Sequence, residues 1–285
     1  MQYYEKSPGQ PSKAPNEHTD INFTNNDGIE KQHKYREISL HQRNLLPHLE
    51  QQKHTFNHKL QQEIHTEQSL HNRFPKVEFG CNVQLIGIAN IHIGNGSCIS
   101  DNSWLNVCFR DDKIRLNIGK RVLVGRGSML SAGGLLELGD YCLLAPQVFI
   151  SDANHVYANI TRPYMDQGAT SGHLVVEENC WLGIHAVIAG NLTVGRGSVI
   201  SANAVVTKDV PPFAVMGGVP AHVIKLFNFK TTKWENIRGS SHLSDILAQR
   251  EAYPPPPRVT YAAMLRKNSA TTFIDPILAG RGQCL

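Results

Sequence analysis

The stretch VEENCWLGIHAVIAGNLTVGRGSVISANAVV, residues 176–206, places an aliphatic side chain at every sixth position: Val176, Leu182, Ile188, Val194, Ile200 and Val206. A step of six is neither the 3.6-residue period of a helix nor the two-residue alternation of a strand. It suits a chain that runs a short strand, turns a corner and repeats. Working outward, the same step joins Leu138, Leu144 and Ile150; Ile118, Val124 and Leu130; Ile93, Ile99 and Leu105; and, at the start, Phe79 and Leu85.

Four positions after many of these residues stands a small one: Ser97, Ser103, Ser128, Gly134, Cys142, Cys180, Ala186, Ser198 and Ala204. Each hexad thus offers one large and one small inward side chain, as a tight triangular coil requires. Glycine often follows the aliphatic residue, as at Gly94, Gly119, Gly139 and Gly183. Three hexads make a coil of 18 residues. The register restarts at 79, 93, 118, 138, 176 and 194, which predicts an all-β solenoid of about six coils. At ~4.8 Å per coil the prism would be about 29 Å long. Such a repeat buries its face only by stacking, so both ends need caps.

The register also breaks. Leu85 to Ile93 and Leu130 to Leu138 each add two residues, Leu105 to Ile118 adds seven, and Ile150 to Val176 adds twenty. An insertion in a solenoid leaves at a corner as a loop, and loops on rigid scaffolds carry function. The longest opens just after Ser151-Asp152-Ala153-Asn154-His155. His155, at its mouth, is the candidate catalytic residue, because a neutral imidazole can take a proton near neutral pH. Cys142 and Cys180 fall in the small inward slot and are expected to be packing thiols.

Composition bounds the rest. The chain has 285 residues, 41% of them hydrophobic. No apolar run approaches the ~20 residues of a membrane span. Net charge is +4, and the excess lies in residues 226–285, which carry 8 basic and 4 acidic side chains. The main domain therefore lacks a nucleic-acid footprint, while a weak contact of the tail with an anionic membrane surface stays open. The six cysteines form no CxxC pair. A reduced, cytoplasmic setting is expected.

Four zones follow. Residues 1–29 read as a disordered segment. Residues 30–73 read as an amphipathic helical extension, with Leu45, Leu49, Phe56, Leu60 and Ile64 on one stripe and eight histidines in residues 1–73. His54 and His58, four apart, read as the wet face of that helix rather than a metal site. Residues 74–225 are the hexapeptide-repeat domain. Residues 226–285 read as a short helix near 241–252, a polyproline break at Pro254–Pro257 and an irregular tail.

The chain resembles the hexapeptide-repeat acyltransferases over residues 79–225, and from Leu144 to Lys225 it is similar to the maltose, galactoside and polysaccharide O-acetyltransferases of that group. The resemblance is carried by Leu144-Ala145-Pro146, the Asp-Ala-Asn-His of 152–155, the segment Cys180 to His185, the segment Val205 to Pro212, and the segment Gly217 to Lys225. It implies a left-handed parallel β-helix, a homotrimer, acetyl-CoA as co-substrate and no metal requirement. It implies His155 as general base, with Asp152 as its polar neighbour, and a sugar or glycan hydroxyl as acceptor. It also implies a coenzyme groove at Trp181, Gly183, Ala202, Thr207, Lys208, His222 and Lys225. Ala153 stands where the group often has a second histidine, His222 where arginine is common, and Ile184 where a small polar residue is common. No nucleophile elbow is visible, so direct attack of the acceptor fits better than an acyl-enzyme.

Other readings remain. An amine of an amino sugar or antibiotic could be the acceptor. A γ-carbonic-anhydrase-like enzyme would need three converging histidines, drawn from His92, His155, His173 and His185. A non-catalytic scaffold would leave His155 and Lys208 without a task.

Overall fold

The computed structural model describes residues 67–269. The disordered segment expected over 1–29 and the helical stripe from Leu45 to Ile64 lie outside the described residues.

Within residues 67–269, short strands stack in parallel into three sheets that wind as a left-handed β-helix. Face A carries the inward ladder Phe79, Ile99, Val124, Leu144, Leu182, Ile200 and Met216. Face B carries Leu85, Leu105, Leu130, Ile150, Ile188 and Val206. Face C carries Ile93, Ile118, Leu138, Val176 and Val194, extended by a bridge to Val210. All of them are buried. At roughly 1.5–3 kcal/mol for each fully buried aliphatic side chain, stacking is what stabilises a coil that has no core of its own.

The phase of the coils differs from the sequence reading. The steps from face A to face B and from face C to face A are six residues in every coil. From face B to face C they are 8, 13, 8, 26, 6 and 4. The restarts at 93, 118, 138, 176 and 194 are thus not the beginnings of coils counted from Phe79. They all lie on face C, because every departure from six falls at the one corner that precedes it.

Corner chemistry explains the regularity of the other two. Each holds a residue in the left-handed conformation: Asn82, Asn102, Gly127, Gln147, His185 and Asn203 between A and B, and Gly96, Arg121, Tyr141, Asn179, Gly197 and Phe213 between C and A. Asn and Gly recur there because they tolerate positive φ at least cost. The small inward slot beside the corner has a bonding role as well. Ser97 donates to the Gly119 carbonyl (2.9 Å), Ser128 to Ala145 (3.3 Å) and Ser198 to Pro211 (3.0 Å). The thiols of Cys142 and Cys180 do the same to Glu177 (3.1 Å) and Gly195 (3.3 Å). In each case the acceptor is the residue just after the inward aliphatic of the next coil. Where Ser or Cys fills the slot it adds one donor across the coils, whereas Ala186 and Ala204 fill it by size alone. Burial pushes the Cys180 thiol well above its ordinary pKa, which suits a packing role.

Helix α1 (Glu67–Arg73) and the segment after it cover the first coil, with Leu70, Phe74 and Val77 buried. At the other end the strand Ala214–Gly217 continues face A, and two antiparallel strands, His222–Asn228 and Lys233–Asn236, extend it. The first runs through the composition change at Leu226. Helix α2 (Ser240–Gln249) packs on that strand through buried Ile246. Helix α3 (Arg258–Asn268), where the sequence shows no clear period, is held at the C–A corner by Arg258 on Glu178 (2.5 Å) and by Tyr261, whose hydroxyl accepts from Asn179 (2.6 Å). No helix among the described residues is long and apolar enough to cross a membrane.

Candidate active site

The twenty-residue insertion leaves the B–C corner of the fourth coil. Strand Phe149–Ser151 ends in buried Ser151 and Asp152, and the chain then turns outward. Asn154–His155 pairs antiparallel with Ala169–Thr170, with His155 opposite Ala169. This two-residue stem closes a loop over 156–168 that is cross-linked from within. The Gln167 side-chain amide donates to the carbonyls of Asn159 (2.8 Å) and Arg162 (3.0 Å), and its oxygen accepts from the Asn159 amide (3.1 Å). The loop keeps its polar groups to itself and turns Tyr157, Ile160, Tyr164 and Met165 to solvent. On the return, the His173 amide donates to Asn191 (2.9 Å), and the His173 imidazole meets Glu137 at 2.7 Å.

His155 is exposed on this stem, as the position of the insertion predicts. Asp152 has a different environment. It is only 4% exposed, and its carboxylate accepts from three consecutive backbone amides of the third coil: Gly133 (2.5 Å), Gly134 (2.7 Å) and Leu135 (3.0 Å). Two residues separate it from His155 along the chain, yet both its oxygens are engaged below, on the coil. Sequence reasoning missed this seat. Its signal was the pair Gly133-Gly134 at the same corner one coil earlier.

The residues expected to line a coenzyme groove fall elsewhere. Trp181 points outward from face A and is 51% exposed. In the strand register it is followed across the sheet by Val199, Val215 and Lys225. At ~4.8 Å per strand this row spans about 14 Å, from an aromatic ring across two valines to an ammonium. His222 is exposed on the same terminal strand, and Ala202 is exposed at the neighbouring A–B corner beside Ile184. Gly183 packs between coils: a Cβ there would lie 2.5 Å from the Ala202 amide nitrogen, and its own N–H donates to Ile200 (2.7 Å). Thr207 and Lys208 are exposed at the B–C corner of the sixth coil, on the same edge as His155.

The predicted site residues therefore form two groups. His155, Thr207 and Lys208 share the B–C edge; Trp181, Ala202, His222 and Lys225 lie on face A and its border. In a triangular prism the B–C edge is opposite face A, so a single chain does not bring the groups together. Nor do the four histidines converge. His92 faces outward on face C, His173 is paired with Glu137, and His185 bonds Gln147 at the A–B corner. Among the described residues, no three His, Cys, Asp or Glu side chains form a metal cluster.

With that geometry in place, comparison with known proteins is informative. The model of the bacterial transferase hexapeptide family, six repeats, matches residues 173–208. The match runs from the strand that follows the long loop to the B–C corner of the sixth coil. The galactoside O-acetyltransferase of Escherichia coli is 29% identical over 46% of this chain and 64% of its own length. A chloramphenicol acetyltransferase of Agrobacterium fabrum is 34% identical over 39% of this chain and 51% of its own. A hexapeptide-repeat acetyltransferase structure from Vibrio cholerae aligns at 28% identity over 49% of this chain and 73% of that one, with a TM-score of 0.42. The chain thus spans 51–64% of the length of those two curated relatives.

Proposed function

We propose that this protein transfers an acetyl group from acetyl-CoA to a hydroxyl of a sugar or polysaccharide, with His155 as general base, at sites formed between copies of a homotrimer. The observation that carries the reading is the row Trp181–Val199–Val215–Lys225 on face A, set opposite the edge that presents His155. An extended pantetheine arm with an anionic nucleotide at its end calls for an aromatic and apolar track that finishes on a cation. The row has that order of chemistry, and Lys208 adds a second exposed ammonium on the B–C edge.

The acceptor hydroxyl attacks the thioester carbonyl while a ring nitrogen of His155 takes its proton. The tetrahedral intermediate carries its negative charge on the former carbonyl oxygen. Its collapse breaks the C–S bond, and the imidazolium returns the proton to the departing thiolate. For these steps His155 must meet the coenzyme row, which the prism of one chain prevents. A ring of three copies supplies the meeting: the B–C edge of each chain faces the A face of the next, and a heterologous contact of this kind closes on itself. The outward column Leu143, Trp181, Val199 and Val215 on face A is an apolar strip for such a contact. We place the reaction in the cytoplasm, the compartment that supplies acetyl-CoA.

A transfer screen with acetyl-CoA over sugars, nucleotide sugars, glycans, amino sugars and amine antibiotics tests the reading, with sedimentation of the same sample. The expected result is acetylation of a sugar hydroxyl by a trimer. A fully active monomer would overturn the shared site, and transfer only to amines would overturn the O-acetyl assignment.

A further inference from the structure

The seat beneath the loop carries an inference about what sets the position of His155. Gly133 and Gly134 form the B–C corner of the third coil, directly below the point where the long loop leaves and returns. A Cβ on Gly133 would lie 2.8 Å from the Cβ of Ala153, on the outgoing strand of the loop, and 2.8 Å from that of Ser171, on the returning one. A Cβ on Gly134 would lie 2.3 Å from the Gly172 carbonyl. The absence of two side chains therefore lets both ends of the loop rest on the coil backbone. The Asp152 carboxylate then fastens the outgoing end by accepting from the amides of 133, 134 and 135. Three amide donors in a row converge on one buried anion, and the stem Asn154–His155 begins two residues later.

We infer that Asp152 is a positioning residue: with Gly133 and Gly134 it forms a pinned seat that fixes the stem of the loop, and through the stem the place of His155. Its carboxylate does not exchange protons with the imidazole. This rests on the reading of His155 as the base. It also accounts for Ala153: its Cβ lies against Gly133, and a larger side chain there would lift the outgoing strand. Catalysis is sensitive to such placement, since a displacement of ~1 Å can cost about 100-fold in rate.

Two variants attack the seat by different chemistry. Asp152→Asn turns an NH2 group toward an amide donor. Gly133→Ala changes no charge, and its backbone is not in the left-handed region, so its effect is steric. Both should lower kcat by about 10–100-fold, leave the acetyl-CoA Kd within about twofold, and leave the acidic limb of the kcat/KM–pH profile where it is in the wild type. Both should raise hydrogen exchange across 152–172. Adding Ala153→Gly and Ser171→Gly to Gly133→Ala removes the two β-carbons that the new methyl meets, and should restore much of the lost kcat.

A shifted pH limb in Asp152→Asn, with Gly133→Ala unshifted, would overturn the inference, because Asp152 would then act on the proton. Wild-type kcat in both variants, or no rescue of Gly133→Ala, would also overturn it. If Asp152→Asn does not fold, Gly133→Ala and its rescue decide. If His155→Ala keeps full turnover, the base assignment fails separately, and exchange across 152–172 alone judges the seat: unchanged exchange in Gly133→Ala sinks it.

Discussion

Two corners of this prism keep a step of six residues in every coil, while the third accepts steps from 4 to 26. The strict corners hold one residue each in the left-handed conformation, and at several of them a buried hydroxyl or thiol ties one coil to the next. The permissive corner carries the short helical turn at Ile88–Asn90, the loop after Val107 and the long loop beyond His155. A solenoid needs its strands in phase, and two fixed corners suffice for that. The third is then open to elaboration, and the candidate base stands there.

The sharpest way to break this comparison is to move an insertion. One residue placed between Gly183 and Ile184, at the A–B corner, has no loop to absorb it, puts the strand that follows out of phase and turns its inward side chains outward. We expect no cooperative thermal transition from that variant. The same residue placed between Asn159 and Ile160, in the loop, should leave Tm within about 2 °C. Equal damage at both sites would mean that the corners do not differ.

The next effect is catalytic. His155→Ala removes an exposed side chain from the permissive edge, so Tm should hold while kcat falls 10²–10⁴-fold, the usual contribution of a general base. Trp181→Ala, on the opposite face, should weaken acetyl-CoA binding by about tenfold, as expected for loss of an aromatic contact of ~1–1.5 kcal/mol, with a smaller change in turnover at saturation. Calorimetric titration and steady-state rates separate the two signatures.

The smaller effects report on the corners themselves. Ser128→Ala deletes the bridge to the Ala145 carbonyl and leaves the Val148 amide without its acceptor. A loss of about 1–3 kcal/mol follows from an unsatisfied buried donor, and Tm should drop by several degrees. Finally, Cys108 is exposed in the loop of the permissive corner, whereas Cys142 and Cys180 are buried at a strict one. Iodoacetamide should label Cys108 in the native protein and reach the other two only after denaturant is added. Native labelling of Cys180, mapped by peptide mass, would contradict the packing role that its raised pKa supports.

Much of the fold was legible because a period of six leaves a trace that no competing structure imitates. The ladder from Phe79 to Val206, the small slot and the exit of the long loop at His155 all appear in the order of residues. Hidden were features that depend on which coil lies above which. Asp152 reads as a polar neighbour of His155 along the chain, yet it bonds amides 17 to 19 positions earlier. The strands at His222–Asn228 and Lys233–Asn236 turn antiparallel, where the hexad no longer reports anything. Helix α3 has no strong apolar stripe because Arg258 and Tyr261 attach it by polar bonds and ring contact.

By itself the sequence determined the repeat, its inward residues, the approximate number of coils and the place of His155 at the mouth of the longest insertion, since each follows from spacing along one chain. Only the tertiary structure decided that every irregular step falls at a single corner, and that His155 and Trp181 stand on opposite sides of the prism. Both depend on how many residues lie between faces, summed over successive coils. A change of phase at one corner alters which side chains become neighbours in space while leaving the six-residue period on either side of it intact.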